Sequence, residues 1–398
     1  MHNFQLSMPT RIIFGRGEVE NAGAEAAKLA GKVMLVTGRT STRKTGVLQR
    51  VMHSLEAAGV EVVLYDKIEP NPRTHTVDQG GRIAREAGCE LIIGLGGGSP
   101  MDAAKAIATV AKSGHPSHEY ITGNKTGRWR ELLPIQEALP IMTIPTLAAT
   151  GSEANNGGVL THEATKEKGA FSGPALFPKV TIIDPELTYT VSPEYTADGA
   201  VDVFTHLYEA YLTGAEEARV QDHLTEGLIR AAVENGPIAV AEPENYEARA
   251  ALMWASTLAL IGIAGAGRGG SFPVHQMEHT LSAYYDISHG RGLAILTPAY
   301  FKRVAEDRPH RLARMGRHCF GVKATDDQLA AAETIERVIE WFRSMNVHLK
   351  MSDLGIARDS LLPMAEEAVR VGGRGQGFIP ATRQLDVREV VAIYEESY

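Results

Sequence analysis

The sequence predicts an α/β domain followed by an all-helical domain, and three observations support this fold class. The 398 residues exceed what one ordinary hydrophobic core organises, so two domains are expected. In the first half, short apolar runs alternate with helical patterns, as in a parallel sheet covered by helices on both faces. From Ser192 onward, helical periodicity dominates and strand patterns nearly vanish. We therefore expect an α/β domain over residues 1–187 and an all-α domain over residues 188–398.

Each element of the first half has a local signature. The run VMLVT at residues 33–37 is short and apolar, as buried parallel strands are. The helix that follows has an apolar face and ends at Gly59. After an N-terminal strand that closes near Phe14, the predicted strands are 33–37, 60–65, 91–95, 141–144 and 180–184, and the predicted helices are 46–58, 77–87 and 101–111.

The second half is predicted to be helical and punctuated by turn residues. The Asn235-Gly236-Pro237 segment is expected to end a helix. Pro273 is expected to open one, because the first helical position needs no N–H. Besides that helix, the predicted helices are 195–212, 218–234, 245–263, 327–345 and 387–395.

Composition excludes several classes of function. A net charge of −8 without a Lys/Arg-rich run argues against a nucleic-acid partner. Two cysteines, Cys89 and Cys319, make no disulfide framework and favour a reducing compartment. The N-terminus lacks a signal-peptide pattern, and the longest apolar stretch, residues 258–266, is too short to cross a bilayer. We therefore expect a cytoplasmic chain with no membrane partner.

A glycine loop joins a predicted strand to a predicted helix at Gly96-Gly97-Gly98-Ser99-Pro100. Ser99 suits the N-cap and Pro100 the first helical position. Glycines let backbone N–H groups approach a phosphate, and the helix dipole favours an anion there. A tight turn without a ligand is the alternative, but the strand-to-helix context favours phosphate binding. The loop is not the GxGxxG fingerprint, which follows the first strand.

The loop after the second strand bears on cofactor choice. Where an acidic residue would bind the ribose 2′-OH of NAD, this chain has Gly38-Arg39-Thr40-Ser41, with Arg43 and Lys44 close by. Small, hydroxyl and cationic residues accept a 2′-phosphate, so Gly38, Thr40 and Ser41 point to NADP(H). A solvated basic loop is the competing interpretation. A further polar segment, Thr143–Glu153, offers hydroxyls to a pyrophosphate or ribose.

Histidines and one aspartate suggest a metal site. The stretch Gly269–Gly292 holds His275, His279 and His289, and Asp202 and His206 lie one helical turn apart. One carboxylate with several imidazoles suits Zn²⁺ or Fe²⁺. Unrelated core or surface histidines are the alternative. Spacing alone favours His275 and His279 as a pair, and it leaves open which imidazoles bind.

Four motifs in order resemble the iron-containing, or group III, alcohol dehydrogenases, and the likeness runs nearly end to end. The nearest resemblance is to the butanol-dehydrogenase-like branch of NADPH-dependent aldehyde/alcohol oxidoreductases. The chain departs from it in having Leu147 after Thr146, where many members have two threonines, and in a loose C-terminal signature around Arg383. The motifs are GGGSPMDAAKAIA (96–108), TIPTLAATGSEANNGG (143–158), DGAVDVFTHLYEAY (198–211) and HQMEHTLSAYYDISHGRGLAILTP (275–298).

The resemblance implies a dehydroquinate-synthase-like architecture with NADP(H) and one divalent metal ion, Fe²⁺ or Zn²⁺. It implies that His279 lies near the nicotinamide rather than on the metal, and it gives His279 a catalytic role in proton relay or ribose contact. Family members are commonly homodimers or larger. The implied metal ligands are Asp202, His206, His275 and His289. The implied cofactor contacts are Asn71, Gly97, Gly98, Ser99, Asp102, Thr146, Thr150 and Lys168.

The expected activity is interconversion of aldehydes and primary alcohols by hydride transfer, with the metal polarising the carbonyl oxygen. Three alternatives stay open. A polyol or glycerol dehydrogenase of a sister branch would share the metal. A non-redox dehydroquinate-synthase-like lyase would need more cationic residues than Arg268 and Arg291, the two near His275. A metal-dependent hydrolase would use no nucleotide.

Overall fold

The structure, a computed structural model, describes residues 1–121, 133–165 and 167–398. Within those ranges the chain forms two compact units, Met8–Val191 and Ser192–Tyr398, and Met1–Ser7 groups with the second. The sequence-based boundary at residue 187 falls a few residues earlier. Leu187 is buried in a core cluster of the first unit, which keeps the short turn Pro185–Thr188 with that unit.

A parallel sheet forms the centre of the first unit. Among the described residues, six strands pair in the order β1-β8-β5-β4-β2-β3, and all neighbours run parallel. The remaining pair, β6 and β7, is antiparallel and was not predicted. The strands are β1 (Arg11–Phe14), β2 (Lys32–Gly38), β3 (Glu61–Ile68), β4 (Leu91–Gly96), β5 (Ile141–Pro145), β6 (Gly157–His162), β7 (Glu167–Ser172) and β8 (Val180–Ile183).

Helices cover both faces of this sheet, as the alternating pattern predicted. Side chains of a strand point alternately to opposite faces. Met34 of β2 accordingly packs in one core cluster with Ile107, and Leu35 packs in another with Val51. The helices of this unit are α1 (Ala22–Ala27), α2 (Ser41–Lys44), α3 (Val47–Ala57), α4 (Thr74–Glu86) and α5 (Gly98–Ser113).

The glycine loop is shorter than predicted. Helix α5 begins at Gly98, and Gly97 rather than Ser99 is its N-cap. Gly96 ends β4 with a φ of +144°, a conformation that side chains rarely adopt, so the strand turns directly into the helix. Because β2, β4 and β5 are parallel neighbours, their carboxyl ends at Gly38, Gly96 and Pro145 share one edge of the sheet.

The second unit is helical, with one short antiparallel strand pair, β9 (Ile379–Pro380) and β10 (Gln384–Leu385), that the all-α prediction did not include. No helix in the described ranges is both long and apolar enough to cross a membrane. The helices are α6 (Pro193–Thr213), α7 (Arg219–Ala241), α8 (Tyr246–Leu260), α9 (Pro273–Tyr285), α10 (His289–Asp307), α11 (Pro309–Cys319), α12 (Asp327–Ser344), α13 (Leu361–Gly372) and α14 (Val387–Glu396).

The predicted break at Asn235-Gly236-Pro237 is wrong, because α7 continues through it. Proline lacks the N–H that would bond the carbonyl four residues earlier. That carbonyl, of Val233, accepts instead from the indole N–H of Trp341 at 3.1 Å. A side chain from a distant helix therefore satisfies the group that Pro237 leaves unpaired, which the local sequence does not reveal.

Candidate metal centre and cofactor loops

Helix α6 supplies the first half of the metal centre. It begins at Pro193 after Ser192, whose hydroxyl caps it by accepting from the N–H of Tyr195. Asp202 and His206 lie one turn apart, and Glu209 follows three residues later. This spacing places the three side chains on one face of the helix.

Helices α9 and α10 supply the second half. Pro273 occupies the first turn of α9, as predicted, and the helix carries His275 and His279. Asp286 ends it in the left-handed conformation, with a φ of 52°. The chain then turns back, so that His289 becomes the first residue of α10.

Gly290 brings α10 against α6. A Cβ atom on Gly290 would lie 2.1 Å from the carbonyl oxygen of Asp198 and 2.6 Å from its carbonyl carbon. Only glycine permits this backbone approach. Arg291 adds an ion pair, with its Nε 2.8 Å from Oδ1 of Asp198. The first turn of α10, which carries His289, is thereby held beside the helix that carries Asp202.

The side chains from these helices converge on the Asp202 carboxylate. Oδ1 of Asp202 lies 3.5 Å from Nε2 of His275 and 3.2 Å from Nδ1 of His206. The ring centroids of His206 and His275 are 4.2 Å apart, and those of His275 and His289 are 5.2 Å apart. Potential ligand atoms of Asp202, His275 and His289 all lie within 4.8 Å of one another.

This donor set fits a divalent cation. Oδ1 of Asp202, Nδ1 of His206 and Nε2 of His275 are buried and make no hydrogen bond within the protein. Buried polar atoms without partners are costly, and a cation would satisfy those of Asp202 and His275, which belong to one group of potential ligand atoms. His206 lies beside Asp202 but outside that group. Burial lowers the pKa of His206 to about 3, which keeps its imidazole neutral and able to donate a lone pair. One carboxylate with imidazoles is the chemistry of zinc and ferrous sites.

His279 belongs to a neighbouring group. Its ring centroid is 5.5 Å from that of His289, and potential ligand atoms of Glu278, His279 and His289 lie within 4.8 Å of one another. The group that includes Asp202 contains His275 and His289, not the His275–His279 pair that spacing alone favours.

Two buried carboxylates that sequence reasoning missed stand behind the histidines. Glu209 accepts hydrogen bonds from Nδ1–H of His275 and from the backbone N–H of Val274. Glu278 accepts from Nδ1–H of His289 and from the hydroxyl of Ser282. The sequence did contain a signal for Glu209, because its spacing places it on the same helical face as Asp202 and His206. Glu278 immediately precedes His279 and shows no such pattern.

Several predicted cofactor residues of the first unit lie together at the carboxyl edge of the sheet. The N–H of Thr146 donates to the carbonyl of Gly96 at 2.9 Å, which joins the loop after β5 to the end of β4. A Cβ atom on Gly98 would lie 2.7 Å from a methyl carbon of Thr150. On Gly97 it would meet Leu147, the residue that departs from the family pattern, at 3.5 Å. Ser99, in the first turn of α5, is half-buried.

Asn71 and Lys168 also come together. The Nζ of Lys168 donates to Oδ1 of Asn71 at 3.0 Å, although 97 residues separate them in the chain. Asn71 follows β3 in a left-handed conformation with a φ of 53°. Lys168 lies in β7, in the antiparallel pair that sequence analysis missed. The two residues thus form one polar pair beside the loops that follow the parallel strands.

Asp102 is engaged within the protein. Its two oxygens accept from the hydroxyl of Ser152 at 2.6 Å and from the N–H of Val159 at 2.9 Å. Beside it, the buried Nζ of Lys105 donates to Ser152, to Asn155 and to the carbonyl of Gly157. Burial lowers the pKa of Lys105 to about 8. Helix α5 therefore anchors the polar segment that follows Thr150.

The loop after β2 presents no acidic residue of its own. Thr40 and Ser41 are exposed, and Gly38 is half-buried. Its arginines contact the end of β3: Nη2 of Arg43 lies 2.7 Å from Oδ2 of Asp66, and Nε of Arg39 donates to the carbonyl of Lys67. A Cβ atom on Gly38 would meet nothing closer than 3.7 Å, so a Cβ makes no close contact at this position.

Comparison with known proteins identifies the family. Residues 9–185 match the family described as iron-containing alcohol dehydrogenase, and residues 196–398 match the C-terminal region of the Fe-containing alcohol dehydrogenase family. The chain belongs to the iron-containing alcohol dehydrogenase family. This confirms the family that the four sequence motifs indicated. Membership implies oxidoreductase chemistry on alcohols or aldehydes with a nicotinamide cofactor and a divalent metal ion.

Relatives within this family differ in cofactor. NADH-dependent butanol dehydrogenase A of Clostridium acetobutylicum is 36% identical over 400 residues, covering 100% of both chains. NADPH-dependent aldehyde reductase YqhD of Escherichia coli is 34% identical over 364 residues, covering 91% of each. The crystal structure of NADH-dependent butanol dehydrogenase A from Thermotoga maritima is similar with a TM-score of 0.93 and 33% identity, covering 100% of this chain and 99% of that one. The fold is therefore that of the family.

Proposed function

We propose that this protein is a metal-dependent, NADP(H)-linked oxidoreductase that interconverts aldehydes and primary alcohols. In the reducing direction, an aldehyde, NADPH and a proton give a primary alcohol and NADP⁺. The observation that carries the proposal is the buried convergence of Asp202, His206 and His275, whose facing atoms have no hydrogen-bond partner. A site of this kind is built for a cation rather than for protein packing.

Asp202, His206, His275 and His289 would hold the metal ion, which when bound supplies Lewis-acid polarisation of a carbonyl oxygen. Asp202 contributes the one negative charge of this set and orients the imidazoles around it. Iron and zinc both fit these ligands, because affinity for divalent metals depends on geometry and availability as well as on ligand type. Elemental analysis of freshly purified protein distinguishes them.

His279 is our candidate for handling the proton or contacting the ribose during the reaction. It lies on α9 one turn after His275, and its ring faces that of His289 at 5.5 Å between centroids. A histidine suits proton transfer near neutral pH, because its ordinary pKa lies there. In this role its loss lowers the rate without removing the metal.

We propose NADPH as the preferred cofactor. The support is the loop at Gly38–Ser41, where exposed hydroxyls replace the acid that would hydrogen-bond an NAD ribose and repel a 2′-phosphate. The glycine loop at Gly97 and Gly98, with Ser99 in the first turn of the same helix, would take the pyrophosphate at the start of α5. Asp102 would support this site indirectly, because it holds Ser152 and Val159. Thr146, Thr150 and the Asn71–Lys168 pair would complete the contacts.

The Gly38→Asp substitution tests this preference, with Gly38→Asn as a matched neutral control. A Cβ there makes only ordinary van der Waals contacts, and aspartate and asparagine have nearly the same shape, so the two variants differ mainly in charge. The aspartate would repel a 2′-phosphate, so the ratio of kcat/KM for NADPH over NADH should fall at least about tenfold. The asparagine should leave that ratio within a few-fold. Equal effects of the two variants, or a wild-type preference for NADH, would contradict the assignment.

The reaction itself is tested by following the nicotinamide absorbance with butanal and NADPH and by identifying the product. We expect equimolar butanol and NADP⁺. Turnover of butanol with NADP⁺ in the reverse direction should also occur. A chain that acts on its substrate without any change in the nicotinamide band would be a lyase or hydrolase instead.

A further inference from the structure

The two buried glutamates behind the histidines are Glu209, on α6, and Glu278, on α9. Each is fully buried, with 0% exposure. Each pairs with one predicted metal-ligating histidine, Glu209 with His275 and Glu278 with His289. Removing a carboxylate from water is costly even when it is hydrogen-bonded, so the complete burial of both groups against these histidines points to a task for them.

We propose that Glu209 and Glu278 are positioning residues that fix the tautomer and the orientation of His275 and His289 for metal binding, and that Glu209 does so in a way that only a carboxylate permits. The inference rests on the proposed metal site. A neutral imidazole carries one proton, and a metal needs the lone pair on the other nitrogen. Each glutamate accepts from Nδ1–H, which leaves Nε2 free to donate to the metal.

The direction of Nε2 supports this assignment for His275. That atom is buried, has no hydrogen-bond partner and lies 3.5 Å from Oδ1 of Asp202. Glu209 thus holds one nitrogen of His275 while the other faces the candidate ligand set. For His289, Gly292 lets the helix approach Glu278 closely, since a Cβ there would lie 2.7 Å from its Cγ.

The two carboxylates differ in what else they bind, and this difference makes the inference testable. Both oxygens of Glu209 accept from N–H groups, of Val274 and His275. A glutamine at position 209 would direct its NH₂ group either at the backbone N–H of Val274 or at Nδ1 of His275. It would either repel the backbone N–H of Val274 or force His275 into the tautomer that protonates Nε2 and blocks the metal.

Glu278 has a different second partner. The hydroxyl of Ser282 donates to one of its oxygens, and a hydroxyl can accept as readily as donate. A glutamine at 278 would keep its oxygen on His289 and donate its NH₂ to Ser282. The Glu278→Gln variant therefore keeps both hydrogen bonds and is the matched control for Glu209→Gln. Glu278→Met has similar length and removes the acceptor.

The experiment measures Co²⁺ affinity of metal-free wild type and of the three variants by competition with a chromophoric chelator. The ligand-field absorption of bound Co²⁺ reports coordination, which a merely structural role would not change. Circular dichroism of the metal-free proteins checks that each is folded. We expect Glu209→Gln to lose about 100-fold in affinity and Glu278→Met about 10–100-fold, both with altered spectra. Glu278→Gln should stay within about tenfold of wild type with an unchanged spectrum.

Equal affinities and spectra for Glu209→Gln and Glu278→Gln would overturn the inference while leaving the metal site in place. If Glu209→Gln does not fold, the Co²⁺ affinities of Glu278→Gln and Glu278→Met are compared instead. Equal affinities of these two variants would overturn the positioning role. A wild-type protein that binds no Co²⁺ would instead overturn the proposed metal site, and the inference with it.

Discussion

Replacing Gly290 by alanine should dismantle the metal centre from outside its ligand set. The added Cβ would lie 2.1 Å from the carbonyl oxygen of Asp198, whereas ordinary contact begins near 3.4 Å. The carbonyl oxygen and carbon of Asp198 are backbone atoms and cannot rotate away, so α10 must move away from α6 by roughly 1 Å. Metal–imidazole bonds are about 2.0–2.1 Å long and tolerate little error, so His289 would leave the coordination sphere.

We expect Gly290→Ala to bind Co²⁺ about 10–100-fold more weakly than wild type. Chemical denaturation should show a loss of about 1–3 kcal/mol in the free energy of unfolding. Gly227→Ala is the matched control, because nothing lies within 4 Å of a Cβ at that position of α7. It should bind Co²⁺ like wild type and be more stable by about 0.5–1 kcal/mol. A Gly290→Ala variant with wild-type metal affinity and stability would refute the packing argument.

Three further predictions follow from individual side chains. His206→Ala should lose both metal and turnover, whereas His279→Ala should keep its metal in elemental analysis and lose rate; equal metal loss would contradict the assignment. In Lys105→Met, Ser152, Asn155 and the carbonyl of Gly157 lose their hydrogen-bond donor. The free energy of unfolding should therefore fall by about 1–3 kcal/mol, and NADPH should bind more weakly in titrations. Unchanged NADPH binding would show that the segment after Thr150 does not contact the cofactor. Burial alone would raise the pKa of Asp307, but hydrogen bonds from Arg383 and Thr382 outweigh it and lower that pKa. The ionised Asp307 carboxylate therefore stabilises the folded state at pH 7, and this stabilisation is lost as the pH falls through the folded-state pKa. Arg383→Ala should therefore destabilise more at pH 7 than at pH 3 in thermal melts, and a pH-independent difference would contradict the ion pair.

Much of the fold could be predicted because local pattern and tertiary burial agree. The apolar runs of β2 and β4 are buried on both faces, and the apolar face of α3 packs where its periodicity places it. The failures come from partners that are distant in sequence. The helix α7 survives Pro237 because Trp341 satisfies the carbonyl of Val233. The antiparallel strand β7 carries buried charged residues, Glu167 and Lys168, and so lacks a strand pattern.

The candidate site shows the same division. Helical spacing brought Asp202 and His206 together, and Pro273 correctly opened the helix that carries His275. Spacing alone did not show which of His275, His279 and His289 lie beside Asp202. The position of His289 depends on the close packing of α10 against α6 at Gly290, which the local sequence does not reveal. The buried carboxylates Glu209 and Glu278 were not predicted, because only the fold shows that each is hydrogen-bonded to one of the histidines.

We propose above all that a metal ion held by Asp202, His206, His275 and His289 is required for NADPH-dependent reduction of aldehydes. The most direct measurement strips the purified protein with a chelator, determines its metal content, and follows NADPH oxidation with butanal before and after metal is restored. We predict that turnover disappears with the metal and returns with Fe²⁺ or Zn²⁺ near one ion per chain. Metal-free protein that reduces butanal at the original rate would contradict the account.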